Sequence, residues 1–326
     1  MSGDFPREFQ SSSSLVAKYV TLGAWHKVKD ITTATTGFTL ARACLPAIQL
    51  TNQRCGIYAG DWDCYKDFSE VFEAIIQDYH GVSADTRHTS DLNVTKIKGN
   101  VNSDVPVIST SIQVGRNIDG FGLSPGISQE QRLEVEDLVK TSLAQLPGDL
   151  AGSYFSLGRE VMEDKVRKQL AGDGLFFESC SPSQEAAGMG RDWPEGRGVF
   201  CNQEKTFVVW LNQEDHMKVI SMERSNDVKK AFSRLVRGVK ALAFYVKEES
   251  GREFSVSDKH GYITPCPTRL GTGMRASVLL DLPGFTRDQQ GAPYYLQNIA
   301  GRMGLAVQPR TARGQPYSFT GQYWLE

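Results

Sequence analysis

The 326 residues carry 36 Lys and Arg against 38 Asp and Glu, a net charge of −2, so no global excess points to nucleic acid or an anionic membrane as a partner, and any cationic site must be local. With 40% apolar residues the chain can bury the core of one large or two ordinary domains, and no apolar run approaches the roughly 18 residues of a membrane span. The polar start, Met1 to Ser14 with four consecutive serines, does not read as a secretory signal, which makes the expected location cytoplasmic. The six cysteines are scattered without a C-x-x-C pair, which argues for free thiols and against a metal site or a disulfide framework.

Taken in order, residues 1–13 read as a mobile tail, and Leu15 to Leu50 mixes short apolar runs with helix formers around a Thr-rich turn. From Asp63 to His80, Tyr65, Phe68, Val71, Phe72, Ile75, Ile76 and Tyr79 recur at helical spacing, which predicts one amphipathic helix. Residues 81–104 are polar and lack an apolar period; the helical domain is therefore placed at 14–90 and a linker at 91–104.

Beyond the linker, strands alternate with helices over 105–326. Val105 to Val114 predicts a strand; Ser128 caps a helix to about Leu146, and a second helix covers roughly Arg159 to Leu170. Gly198 to Cys201, Lys205 to Leu211 and Met217 to Met222 predict an antiparallel meander. Asn226 caps a long helix to about Lys247, a strand pair flanks the segment 265–275, and a helix from Gly291 to Met303 precedes a final strand and an irregular, Arg-rich end. The fold class is α+β, a small helical N-terminal domain followed by an antiparallel sheet flanked by helices.

Two stretches carry chemistry. Cys266-Pro267-Thr268-Arg269-Leu270-Gly271-Thr272-Gly273-Met274-Arg275 is a loop whose glycines let main-chain N–H groups approach an anion and whose Arg275 adds a planar cation. Local chemistry leaves a polar hairpin and an anion cradle equally open. Asn212-Gln213-Glu214-Asp215-His216, followed closely by Lys218, is by itself best read as a solvated charged turn at the end of a strand.

Together with Trp193 to Phe200, Val107 to Thr110 and Gly56-Ile57-Tyr58, these stretches strongly resemble the phosphagen (ATP:guanidino) kinase family, its arginine kinases in particular. The resemblance runs from about Ser14 to Gln315. It rests on a Cys-Pro-Thr-x-Leu-Gly-Thr loop and an Asn-x-Glu-Asp-His turn in the family's order. It implies transfer of the γ-phosphoryl of Mg-ATP to a guanidinium nitrogen, with two carboxylates and a Cys aligning the guanidinium and arginines neutralising the phosphates. By position it implies that Glu214 is the first catalytic carboxylate and Cys266 the substrate-side thiol, and that Ser109, Arg275 and Arg310 contact nucleotide. Lys218 stands for a further phosphate arginine.

Other positions depart from the family. Its Ser-Thr-Arg-x-Arg reads Ser109-Thr110-Ser111-Ile112-Gln113, its second carboxylate falls on Gln315, and two histidines appear as Gly174 and Leu279. The guanidino loop reads Gln53-Arg54-Cys55, and a cation at Arg54 opposes a guanidinium substrate. The chain ends at Glu326, where the family continues through another strand and helix. Loss of one preorganised donor costs on the order of 10²–10³ in rate, so two missing arginines put phosphoryl transfer down by roughly 10⁴ or more if the losses add even in part.

The leading expectation is a kinase scaffold whose chemistry is lost or much reduced and which serves a structural or binding role. The alternatives are an active arginine kinase with Arg116, Lys218, Arg269 and Arg313 as spare cations, and a nucleotide sensor. Mg-ATP or Mg-ADP is the implied ligand, and a protein assembly, cytoskeletal in some relatives, is the implied partner. Among single residues, Tyr58 either lines the guanidino pocket or packs on the following helix. Cys266 is a substrate-side or a structural thiol, Cys55 and Cys201 are small fillers, and His216 is a satisfied structural histidine.

Overall fold

A computed structural model describes residues 4–50, 53–97, 106–159, 162–177, 180–282, 292–311 and 319–325. The N-terminal part is helical: α1 (Leu15–Tyr19), α2 (Leu22–Val28), α3 (Leu40–Ala43), α4 (Leu45–Gln49), α5 (Cys64–Asp67) and α6 (Ser69–His80). Ser14, Thr21 and Thr39 cap the first three through side-chain oxygens that accept main-chain N–H groups. Val16, Trp25, Phe38, Leu40, Phe68, Phe72 and Ile75 form its buried core. The helix expected over Asp63 to His80 is two helices broken at Phe68 (φ −111°, ψ 28°). Phe68 is nevertheless 1% exposed, so the apolar period runs straight through a break that lies in the backbone alone.

The second part is built on an antiparallel sheet of eight strands, β1 (Val107–Arg116), β2 (Gly152–Ser156), β3 (Gly198–Asn202), β4 (Phe207–Leu211), β5 (Met217–Glu223), β8 (Met274–Asp281), β9 (Val307–Thr311) and β10 (Phe319–Leu325), in the order β2-β3-β4-β5-β1-β8-β10-β9. A two-stranded ribbon, β6 (Val256–Ser257) with β7 (Gly261–Tyr262), precedes the Cys266 loop. Helix α10 (Val228–Ser250) packs on β1 and β5, and α7 (Gln129–Ala144) on α10 and β2, in one core that includes Ile112, Val114, Val219, Val139, Leu235 and Leu242. Period-two alternation then turns Ser111 and Gln113 to the opposite face. There Val208 and Ile220 join Phe176 and Phe177 and the helix α8 (Asp164–Gly172). Short α9 (Pro182–Ala186) and α11 (Ala292–Arg302) complete the helices among the described residues.

Several boundaries move for local reasons. Asp227, not Asn226, caps α10 by accepting from the Lys230 N–H at 2.8 Å, and α10 runs on to Ser250, where Gly251 at φ 70° ends it. Helix α8 begins at Asp164 rather than near Arg159, whose guanidinium is drawn to Glu136 and Asp137. The end of the chain holds two paired strands, not one.

Arg197 ties this framework to the turn at 212–216. Fully buried, it donates to the carbonyls of Asn212, Asp192, Glu195, Met189 and Arg191. Arg197→Met leaves those carbonyls unpaired and is expected to lower stability by at least about 3 kcal/mol, read as a lower urea midpoint at unchanged slope. Lys27→Ala, which removes an exposed pair with Glu70, should cost within about 0.5 kcal/mol.

Candidate active site

The turn between β4 and β5 is not solvated. Gln213, Glu214, Asp215 and His216 are 8%, 3%, 1% and 0% exposed; the last three are claimed by the fold before any ligand, while Gln213 Oε1 finds no hydrogen-bond partner among the described residues. Asn212 at φ 52° closes the turn by donating to the His216 carbonyl at 3.0 Å. His216 Nδ1 accepts from the Ile118 N–H at 3.0 Å and Nε2 donates to the Gly122 carbonyl at 2.9 Å, so it is the satisfied structural histidine that the sequence suggested. Asp215 Oδ1 accepts from Asn117 Nδ2 at 2.7 Å, and its other oxygen lies where a side chain at Gly115 would begin, 2.2 Å from an added Cβ.

The Glu214 carbonyl accepts from Ser124 Oγ at 2.6 Å. Its carboxylate is 4% exposed and pairs with Arg269 Nη1 at 3.0 Å. Across from it the Cys266 loop is clamped to the helical part: Ala59 N–H donates to the Pro265 carbonyl at 2.8 Å, Tyr65 Oη to that of Thr264 at 2.8 Å, and His80 Nε2 to that of Pro267 at 2.9 Å. Cys266, 7% exposed, contacts Thr268 Oγ1 at 3.1 Å. The Cys55 thiol donates to Cys266 and holds it below the ordinary thiol range, while the same bond and burial push Cys55 up. Cys55 therefore packs against the helical core as a filler does and is also a partner of Cys266. A pairing between residues so distant in sequence leaves no local pattern to read.

Tyr58 packs against Cys180, Ala187 and Met189 rather than on the helix that follows it. Its hydroxyl is 3.4 Å from Ser183 Oγ, and burial, then the neighbouring Cys266, raise its pKa. Together Tyr58, Cys266, Glu214 and Arg269 form one cluster.

Beside that cluster opens a cleft of about 510 Å³ lined by Tyr79, Gln113, Lys218, Arg269 and Arg275 among others, with no carboxylate among its described lining. Register explains the lining. On β1, Gln113 faces Arg275 of β8, and Gly115 faces Lys218 of β5. Lys218 lies 5.2 Å over the Trp210 ring, and burial, then Arg269, lowers its pKa. Arg275 is lowered by the same two causes. Ser109 shares the face of Gln113 but sits four residues along β1, beyond the cleft lining. Arg310 lies in β9 with its side chain outside the described residues; Arg313 and Gln315 lie outside them altogether.

Three expectations change. The Gly271 N–H is spent on the His260 carbonyl at 2.7 Å, and the glycines at 271 and 273 serve positive φ values of 91° and 60°, so side chains rather than that amide face an anion. Arg116, considered as a spare phosphate cation, is 1% exposed, stacks 3.5 Å from the Tyr262 ring and donates to the Gly115 and Thr272 carbonyls. Arg54 stacks at 4.7 Å on Tyr79; the cation on the catalytic-type carboxylate is Arg269.

Two neighbours in the turn titrate in opposite senses. Burial lowers His216 from 6.5 to about 4. The unfolded chain therefore binds a proton that the folded chain refuses, and stability is lost as pH falls from 6.5 to 4. Burial, then Glu214, raises Asp215 from 3.8 to about 6, so the folded chain binds the extra proton and stability is regained as pH falls from 6 to 3.8. In Asp215→Asn only the His216 slope remains. Urea midpoints should show the unsubstituted protein gaining about 2 kcal/mol on the variant between pH 6 and pH 4, and parallel curves would contradict this assignment.

The chain matches two family models, the ATP:guanido phosphotransferase N-terminal domain over residues 10–77 and the C-terminal catalytic domain over residues 134–322. It is 37% identical over 289 residues to an arginine kinase of Stichopus japonicus, covering 88% of this chain and 77% of that one. Against a creatine kinase M-type of Tetronarce californica it is 36% identical over 295 residues, 88% and 76% of the two chains. The crystal structure of a lombricine kinase superposes with a TM-score of 0.88 at 31% identity, over 99% of this chain and 86% of that one. The helical part, the antiparallel sheet with its helices, and these matches show that the chain belongs to the ATP:guanido phosphotransferase, or phosphagen kinase, family.

Proposed function

We propose that the protein is a phosphagen kinase scaffold that binds a nucleotide phosphate chain in the cationic cleft while phosphoryl transfer to a guanidino substrate is lost or strongly reduced, leaving a binding or assembly role. The observation that carries this reading is the wall of the cleft. Gln113 stands directly across from Arg275, with Ser111 next to it on the same face, where the family resemblance calls for arginines. The neighbouring Arg116 does not take their place, being buried against Tyr262. Lys218, Arg269 and Arg275 remain as cations for phosphate oxygens, but Lys218 offers a point charge where a guanidinium offers a fork. In-line transfer depends on charge stabilisation at the moving phosphoryl, and an uncharged amide and hydroxyl supply little of it.

A second reading, residual kinase activity, is favoured by the convergence of Glu214, Cys266 and Tyr58 in one cluster. On that reading Glu214 aligns the guanidinium and accepts its proton. Relatives named for arginine, creatine and lombricine leave the guanidino compound open.

A coupled assay with Mg-ATP and a panel of guanidino compounds separates the two. The expected turnover is below about 1 per second, and values in the kinase range of about 1–100 per second would overturn the proposal. Calorimetric titration with Mg-ADP should show binding that Arg275→Ala weakens by roughly 10- to 100-fold, the worth of one charge-assisted contact.

A further inference from the structure

Arg269 occupies the variable position of the Cys266-to-Thr272 loop, and its guanidinium is seated on the Glu214 carboxylate. Nη1 lies 3.0 Å from Glu214 Oε2, with Glu214 4% and Arg269 36% exposed. The groups that act electrostatically on it are Glu214, Asp215, Cys266 and Tyr58. A carboxylate pair, a thiol and a phenol around a planar cation make a guanidinium seat, and that seat is filled from within the chain.

The loop delivers the side chain there by its own geometry. Pro267–Arg269 forms a single 3-10 turn in which the Arg269 N–H donates to the Cys266 carbonyl at 3.0 Å, and Thr268 Oγ1 contacts Cys266. Residues 266 and 269 are thereby presented to the same side of the loop.

The pair is not what holds the Glu214 turn together. That turn is fixed by Ser124 on the Glu214 carbonyl, by Asn117 on Asp215 and His216, and by Arg197 on Asn212. The uncovered edge of Arg269 lines the cleft beside Lys218 and Arg275.

Resting on the guanidino-kinase reading of the site, we infer that Arg269 is a built-in guanidinium that occupies the co-substrate seat on Glu214, excludes free guanidino compounds, and leaves the cleft to a phosphate-bearing ligand alone. A free guanidinium entering this site meets a like charge where it needs a carboxylate. The phosphate side is unaffected, because the same cation adds to its positive potential.

The test fills the seat from outside. Arg269→Ala and Arg269→Gln are compared with the unsubstituted protein by thermal shift in guanidinium chloride at low, non-denaturing concentration, against sodium chloride at equal ionic strength, and by calorimetry with L-arginine. Both variants should gain a Tm rise of a few degrees specific to guanidinium and a measurable heat of arginine binding. The unsubstituted protein should show neither, and Glu214→Gln added to either variant should abolish both gains. The inference is overturned if the unsubstituted protein binds arginine as well as the variants do, if either folded variant shows no guanidinium-specific response, or if neither variant folds, since the pair would then be structural. Mg-ADP titration of the same samples separates the two proposals: nucleotide binding without the guanidinium response sinks this inference alone, and the guanidinium response without nucleotide binding sinks the nucleotide reading alone.

Discussion

One buried amide, Asn117, holds the two halves of the site in register. Its Nδ2 donates to Asp215 Oδ1 at 2.7 Å and to the Ile263 carbonyl at 2.9 Å, while its Oδ1 accepts from the His216 N–H at 2.9 Å. It thereby links the end of β1 to the turn that carries Glu214 and to the segment leading into the Cys266 loop. At 1% exposure every one of these bonds forms without competition from water, which makes the geometry strict and the loss of any partner costly. Glu214 and Cys266 meet because both are hung from this side chain, and the clamps from Ala59, Tyr65 and His80 then fix the loop against the helical part.

Charge is sorted by the same logic. The net charge of −2 conceals four arginines, Arg116, Arg132, Arg197 and Arg234, that are 6% exposed or less. Arg197 is neutralised by carbonyl oxygens, Arg132 by Asp192, Arg234 by Glu223, and Arg116 by carbonyls and a ring face. These cations belong to the framework. Other cations, Lys218, Arg269 and Arg275, face the cleft, so a composition that excludes a basic protein is compatible with a strongly basic cavity.

The fold was legible where a period or a cap carries it. β1 announces itself by a β-branched run and α10 by an amphipathic stripe, and the family motifs at 212–216 and 266–272 fall on the two segments whose Glu214 and Arg269 pair in the structure. The helix over 63–80 was over-read because Phe68 is apolar and buried yet not helical. The turn at 212–216 reads as solvated in sequence because Glu214, Asp215 and His216 find their partners in Arg269, Asn117, Ile118 and Gly122, none of them near in sequence. Of the two readings that local chemistry leaves open for Gly271 and Gly273, their positive φ values favour the hairpin. The Cys55–Cys266 pair and the Arg269–Glu214 pair were illegible for the same reason, being contacts across the fold. A charged residue within an otherwise uncharged Cys-Pro-Thr-x-Leu-Gly-Thr loop was the one local sign.

Two features of the site, uncharged residues at 111 and 113 where the family carries arginines and a cation at the variable position 269, are physically connected. A carboxylate as buried as Glu214 is tolerable in a guanidino kinase because a cationic substrate neutralises it during turnover, and in the interval between substrates its charge must be borne by water or by protein. Where transfer no longer takes place, no substrate needs access, and a permanent counter-charge removes that cost without displacing the turn. Arg269 has that geometry, and it also restores to the cleft one of the positive charges absent from β1. Its placement therefore keeps the pocket charge-balanced on its carboxylate side and cationic on the side of the cleft, the arrangement that the proposed phosphate-binding role calls for.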